Sequence, residues 1–184
     1  MSRVSLKNYS TGDFAPGPFW KLALWLLVSR VFFETSIPWS ASLQSKILRV
    51  FGGKIGERVV LKPRVKIKYP WFLEIGDDSW IGECSWIDNV AQVILGENVV
   101  LSQGSYLCTG NHDYTNPGFA LQAAPIQIAD GAWIAAKATV CPGVQVGDSA
   151  ILSVGSVAST DLEENWIYRG NPAEKVRERF SNQG

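Results

Sequence analysis

The sequence has no excess of either charge. Its 17 Lys and Arg face 17 Asp and Glu, for a formal net charge of +0. That balance denies it the basic face on which nucleic-acid binding depends. Cysteine is scarce and odd in number: Cys84, Cys108 and Cys141, with no CxxC pair. This argues against a disulfide framework and a cysteine-rich zinc site, and for reduced, buried thiols in a cytoplasmic protein. Long hydrophobic runs are missing too. Residues 19–33, FWKLALWLLVSRVFF, are interrupted by Lys21 and Arg30. They fall short of the ~20 residues a bilayer span needs, and no small-residue cleavage site follows. They read as a helix that lies on something rather than one that spans. What remains is a chain of 184 residues, 46% hydrophobic and rich in Trp near its N-terminus, enough for one soluble domain with a core.

A six-residue repeat organises the chain from residue 55. An aliphatic anchor, often followed by Gly, precedes a small or β-branched residue four places later. The units run IGERVV at 55–60 and LKPRVK at 61–66, then IGDDSW, IGECSW and IDNVAQ from 75 to 92. LGENVV and LSQGSY follow from 95 to 106, and five more units fill 128–157. A period of six matches neither an α-helix nor a two-faced strand. It matches a coil in which each rung is a short strand plus a corner, with three rungs closing a triangular turn. One turn cannot bury its apolar edge, so turns must stack. Small residues at Ser79, Ser85, Ala91, Ala138 and Ser149 suit a narrow interior. Two-residue slips at 73–75, 93–95 and 126–128 read as one longer corner per coil. An ordinary β-sandwich would not keep so many aliphatics in register.

The ends are different. Residues 1–54 hold an extended Gly- and Pro-containing arm, a helix over 19–34, and a second helix over 40–53. Ser40 or Ser42 is the candidate N-cap of that second helix, and Gly52-Gly53 its stop. Capping the open end of the coil, or packing on a neighbouring subunit, is the favoured role, since an exposed ladder edge must be covered. Docking on a membrane surface through 19–33 is the alternative. The coil spans 55–160, with a loop inserted at 108–125. Residues 161–184 form the C-terminal tail beyond the coil.

The inserted loop, CTGNHDYTNPGFALQAAP, carries the chain's single histidine, His112, between Asn111 and Asp113. Solenoid insertions gather on one face, often the binding face. A neutral imidazole, with an ordinary pKa near 6.5, is the side chain suited to taking a proton from an alcohol at neutral pH.

These repeats make the chain resemble the hexapeptide-repeat acyltransferases over residues 51–176. The apolar N-terminal helix, IDNVAQV, Gly110-Asn111-His112-Asp113 and Gly170-Asn171-Pro172-Ala173 resemble the colanic-acid-biosynthesis type in particular. The resemblance implies an all-β fold: a left-handed parallel β-helix with N-terminal helices and a short C-terminal helix. It implies a homotrimer with active sites between subunits. It also implies acetyl-CoA as co-substrate, no metal, and direct acetyl transfer to a sugar hydroxyl in surface-glycan biosynthesis, with His112 as general base. Asp88 and Asn89 match a segment lining the acceptor site, while Asn111 and Asp113 flank the base. Asp113 or a backbone carbonyl would orient the imidazole. Trp133, Ala135, Ala136, Lys137, Gly155 and Ser156 match the coenzyme edge. Relatives often carry Thr-Lys after the Gly-Ser pair, where this chain has Ser159-Thr160. That leaves Lys137 or Lys175 as the substitute phosphate contact.

Other readings are narrower. A covalent mechanism through Cys108, four residues from His112, rests on spacing alone. A zinc carbonic anhydrase of this fold needs several histidines. A nucleotidyltransferase needs a Gly-rich nucleotide-binding domain before the coil, which the first 50 residues do not form. A different acceptor (an antibiotic, a serine hydroxyl or an amino sugar) and a non-enzymatic scaffold stay open.

Overall fold

The computed structural model describes residues 3–12 and 14–180. Its centre is a three-sided parallel β-helix of five coils. Side A stacks Lys54–Ile55, Leu73–Ile75, Val93–Leu95, Ile126–Ile128 and Gln145–Val146. Side B stacks Val60–Leu61, Trp80–Ile81, Val100–Leu101, Trp133–Ile134 and Ile151–Leu152. Side C stacks Lys66–Ile67, Trp86–Asp88, Tyr106–Cys108, Thr139–Val140 and Val157–Ala158. The anchors stand in register from coil to coil, as in Leu61, Ile81, Leu101, Ile134 and Leu152. All are buried, and with the fifth-place residues they form one continuous core.

The coil repeat is longer than three rungs of six. Ile55, Ile75 and Leu95 are 20 residues apart, and the extra pair lies in the three-residue strands of side A. From Ile128 to Val146 the step is 18. Corners turn at the fourth place of each rung, where the backbone is left-handed. Arg58, Arg64, Asp78, Cys84, Asn98, Lys137 and Ser149 all have φ between 54° and 60° there. Ser149 is therefore a corner residue and not the small interior residue expected; the buried fifth place is Ala150. Ala91 is only half-buried, because its rung runs into the inserted segment. The frequent Gly at the second place is steric: a Cβ on Gly76 would lie 2.5 Å from the carbonyl carbon of Gly96 in the next coil.

The 20-residue step also aligns charge. Lys54–Glu74 (2.7 Å), Arg58–Asp78 (2.6 Å) and Lys68–Asp88 (2.8 Å) pair across the first two coils. The more exposed pairs, Lys54–Glu74 and Arg58–Asp78, each contribute well under about 1 kcal/mol, so they set register more than stability.

The N-terminal helices cap the first coil. α1 (Phe19–Phe32) inserts Trp25, whose indole donates to the Ile67 carbonyl at 2.9 Å. α2 (Ala41–Val50) starts at Ser40, whose hydroxyl accepts from the Leu43 amide, and ends before Gly52. It buries Leu48, and Arg49 donates to the exposed-edge carbonyls of Ile55 and Gly56. Among the described residues no helix is long and apolar enough to cross a membrane.

The C-terminal expectation is corrected. In place of a helix, Trp166–Gly170 extends side B in parallel beside Ile151–Leu152. Ala173–Glu178 then folds back antiparallel on it. The helix follows from the family resemblance, but AEKVRE has no apolar face of helical period. The C-terminal end of the solenoid offers an open ladder on side B whose amides and carbonyls an added strand satisfies. Residues 181–184 lie outside the described residues.

Candidate active site

The segment between sides C and A is a β-hairpin rather than a bare loop. Gly110–His112 pairs antiparallel with Leu121–Ala123, placing His112 opposite Leu121. Its root is fixed by Thr109, fully buried, whose hydroxyl donates to the Asp88 carbonyl (3.0 Å) and accepts from the Ala91 amide (2.9 Å). Glycine at 110 answers a close approach: a Cβ there would sit 3.0 Å from Val90.

The imidazole is held on three sides. Its Nδ1 lies 3.2 Å from the Phe119 carbonyl. A carbonyl can only accept, so this contact places the proton on Nδ1 and leaves the Nε2 lone pair free. The Phe119 ring stacks on the imidazole at 4.4 Å and 7°, and the Tyr9 ring lies against it at 5.9 Å. Tyr9 arrives on the N-terminal arm, which docks on the hairpin through Ser5 N–H to Pro117 O (2.8 Å) and Leu121 N–H to Ser10 O (3.1 Å).

Of the two candidate orienting groups, the backbone carbonyl does the work. Asp113 is turned into its own tip, where Oδ1 accepts from the Thr115 hydroxyl (2.6 Å) and amide (3.0 Å). The Thr115 hydroxyl holds the Asp113 carboxyl below its ordinary value. Asn111 accepts from the His112 amide through Oδ1 (2.8 Å). The Cys108 thiol points to the Gly110 carbonyl at 3.2 Å.

Asp88 lies on side C beside Cys108, at the hairpin's root. The Lys68 ammonium is 2.8 Å from its Oδ1, and the Tyr106 hydroxyl donates to Oδ2 at 3.3 Å. Burial first, and a hydrogen bond with Cys108 second, push the Tyr106 phenol well up. Asn89 takes no part in direct recognition. It is fully buried, accepting from the Tyr69 amide (3.0 Å) and donating to the Tyr69 carbonyl (2.7 Å). Only the supporting half of its expected role fits.

The coenzyme-edge candidates gather on a different corner, between sides B and C. The Ala136 carbonyl accepts from the Gly155 amide (2.9 Å), so these small residues stack in adjacent coils. Gly155 is exposed, with open space where a Cβ would be, and Lys137 is exposed beside it. Ala135 is buried, and Ser156 is buried with its hydroxyl accepting from the Gly170 amide (3.0 Å). Trp133 lies outward on side B and donates to the Ser102 hydroxyl (2.8 Å). Lys175 is not on a basic helix. It pairs with Glu163 and covers the Trp166 ring at 4.4 Å. Within one chain, side C separates this corner from His112.

Sequence reasoning missed Phe119, Tyr9, Thr109, Tyr106 and Lys68. Lys68 carried a signal, standing one 20-residue coil before Asp88. Phe119 and Tyr9 carried none, because both meet the imidazole only through tertiary folding of irregular segments.

No protein-family model matches the chain. It is 40% identical over 159 residues to the protein named as colanic acid biosynthesis acetyltransferase WcaF of Escherichia coli strain K12, covering 86% of this chain and 87% of that one. Its fold superposes with a TM-score of 0.80 on the hexapeptide-repeat acetyltransferase VCA0836 of Vibrio cholerae complexed with acetyl coenzyme A, at 21% identity, covering 95% and 97% of the two chains. The same score, at 22% identity and 91% and 85% coverage, relates it to a galactoside acetyltransferase in complex with coenzyme A. An identity of 40% over 86% of the chain is more than shared architecture: the chain belongs to the hexapeptide-repeat acetyltransferases, in the branch of the colanic acid biosynthesis enzyme.

Proposed function

We propose that this acetyltransferase moves an acetyl group from acetyl-CoA to a sugar hydroxyl of a cell-surface glycan precursor, with His112 as general base. The observation that carries this reading is the Nδ1 contact to the Phe119 carbonyl, which leaves Nε2 as an acceptor on the chain's single histidine. The acceptor hydroxyl gives its proton to Nε2 as its oxygen attacks the thioester carbonyl. The tetrahedral intermediate then collapses, the C–S bond breaks, and the imidazolium returns the proton to the departing thiolate. The developing oxyanion needs a donor, of which a backbone N–H is the expected kind. Asp88, at the hairpin's root, is the acidic group for the acceptor's other hydroxyls. The relatives support both substrates: one neighbour is complexed with acetyl coenzyme A, and another is a galactoside acetyltransferase.

The coenzyme fits the B/C corner. Gly155 and Ala136 let a narrow chain approach the backbone, and Lys137 offers a cation to its phosphates. That corner is open in one chain and lies apart from His112. Side B also exposes Trp80 (52%) and Trp133 (41%), an apolar stripe that favours burial against another copy. A homotrimer in which one subunit's hairpin faces the next subunit's corner accounts for both features.

The test is thiol release from acetyl-CoA with a panel of sugar acceptors. Acceptor-dependent release that falls about 10²–10⁴-fold in His112→Ala is expected for a lost general base. Release unchanged in that variant would refute the assignment, and no release with any acceptor would favour a scaffold.

A further inference from the structure

The three cysteines do not share one environment. Cys84 is exposed at a corner, whereas Cys108 and Cys141 are half-buried. Those two are distant in sequence and adjacent in space. Leu107 pairs with Val140 across neighbouring coils of side C, and Cys108 and Cys141 are the next residue on each strand. The anchors Leu107 and Val140 are fully buried, so strand alternation turns both thiols outward on one side of the sheet. Neighbouring strands lie about 4.8 Å apart, within the range of about 4.4–6.8 Å that Cα atoms take across a disulfide. The sulfurs sense one another: burial first, and the Cys108 charge second, push the Cys141 thiol up. A metal site is the poorer reading, because among the described residues no group of three His, Cys, Asp or Glu could hold an ion.

The pair stands at the root of the hairpin that carries His112. Cys108 precedes Thr109, whose hydroxyl ties the outgoing strand to Asp88 and Ala91. The Cys108 thiol donates to the Gly110 carbonyl at 3.2 Å. On the other side, Gly143, two residues past Cys141, packs against Ala124, just beyond the returning strand; a Cβ on Gly143 would lie 3.4 Å from the Ala124 Cβ. The Ala124 amide donates to the Thr109 carbonyl at 2.9 Å, which joins the two strands at their base. A bond between the sulfurs needs Cβ atoms about 3.8 Å apart, closer than the strand spacing. Closure therefore draws Cys108 toward Cys141 and takes the S–H donor away from Gly110. His112 lies two residues further along the same strand.

We propose that Cys108 and Cys141 are a redox-sensitive dithiol, closed by hydrogen peroxide into an intercoil disulfide that displaces the root of the His112 hairpin. One thiolate attacks a peroxide oxygen, the O–O bond breaks and hydroxide leaves, giving a sulfenic acid. The second thiolate attacks that sulfur, the S–O bond breaks and a second hydroxide leaves. Each hydroxide takes one of the two thiol protons. Two thiols and one peroxide thus become one disulfide and two waters, the sulfur pair oxidised and the peroxide reduced. A small thiol reverses the step by exchange. The dithiol stands on geometry; its effect on turnover rests on the acetyltransferase reading.

Treating the full chain with stoichiometric hydrogen peroxide tests it, read by peptide mapping and by the imidazole resonances of the single histidine. Free thiols are expected to fall from three to one, through a Cys108–Cys141 link within one chain. The imidazole signals are expected to move, and to return with dithiothreitol. Cys84→Ser is expected to behave as wild type. Cys141→Ser is expected to form no link within the chain and to keep its imidazole signals in place. Signals that move as far in that variant would assign the effect to Cys108 oxidation alone and overturn the dithiol. Links through Cys84, or sulfinic acids with no link, overturn it too. So does a complete link with unmoved imidazole signals. Turnover, assayed separately, is expected to fall about tenfold or more on closure, the effect of a small misplacement of a catalytic group. A reduced chain that transfers no acetyl group sinks the transferase reading and leaves the dithiol. Transfer that keeps its reduced-state rate after full closure does the reverse.

Discussion

The coils and the hairpin that interrupts them are held together by different physics. In the coils, anchors such as Ile81, Ile87, Leu107 and Ile134 are fully buried and stacked on identical positions above and below. In the hairpin from Gly110 to Ala123 no side chain is fully buried. Its shape comes from three residue pairs, the Asp113 and Asn116 turns, and the N-terminal arm lying across it. Burial is non-directional and shared among many contacts, so the coil tolerates small displacements. The hairpin places one ring through a few directional contacts. The scaffold therefore sets stability, and the hairpin sets the position of the imidazole.

The comparison breaks most sharply at His112. Its replacement by Ala is expected to lower kcat by about 10²–10⁴-fold while the melting temperature and oligomeric state stay at wild-type values. A matching loss of stability would mean the hairpin is part of the core after all. Ile87→Ala tests the opposite side. It removes a fully buried anchor and is expected to cost about 2–5 kcal/mol in denaturant unfolding, with the residual folded fraction retaining its specific activity.

Phe119→Leu is smaller and sharper. It keeps the backbone carbonyl that fixes the tautomer but removes the parallel ring at 4.4 Å. Stacking of this kind contributes about 0.5–1.5 kcal/mol, so kcat/KM is expected to fall roughly threefold to tenfold. No change in kcat/KM would leave the carbonyl as the only positioning contact that matters.

The smallest effect belongs to the scaffold's charge ladder. Arg58 holds the Asp78 carboxyl below its ordinary value, through a side-chain hydrogen bond first and its charge second. A depressed carboxylate contributes stability above its unfolded pKa of about 3.9, and that contribution disappears as pH falls through the lower folded value. Asp78→Asn is therefore expected to melt slightly below wild type at pH 7, with the gap closing below about pH 4. A gap that persists in acid would mean the ion pair is not its source.

The legible parts of the molecule are those whose signal repeats. Anchors every six residues exposed the coils, and the Ser40 and Gly52-Gly53 signals marked α2. The corner at Ser149 was placed one residue off, because the left-handed fourth place carries Arg, Asp, Cys, Lys or Ser as readily as Gly. The C-terminal strands were missed because what decides them is the open ladder beside Ile151–Leu152, which the local residues do not announce. At the site, the proposed base stands out as the chain's single histidine. Asp113 or a backbone carbonyl could orient the ring by adjacency, and Asp113, just past the strand, has its carboxylate claimed by the tip turn.

The sequence by itself determined the solenoid, its core and the one imidazole, because periodic burial is written into every sixth residue. Only the tertiary structure decided which nitrogen of that imidazole is free, which ring braces it, and which two thiols stand side by side. Those depend on carbonyls, corners and arm contacts between residues that no local pattern links.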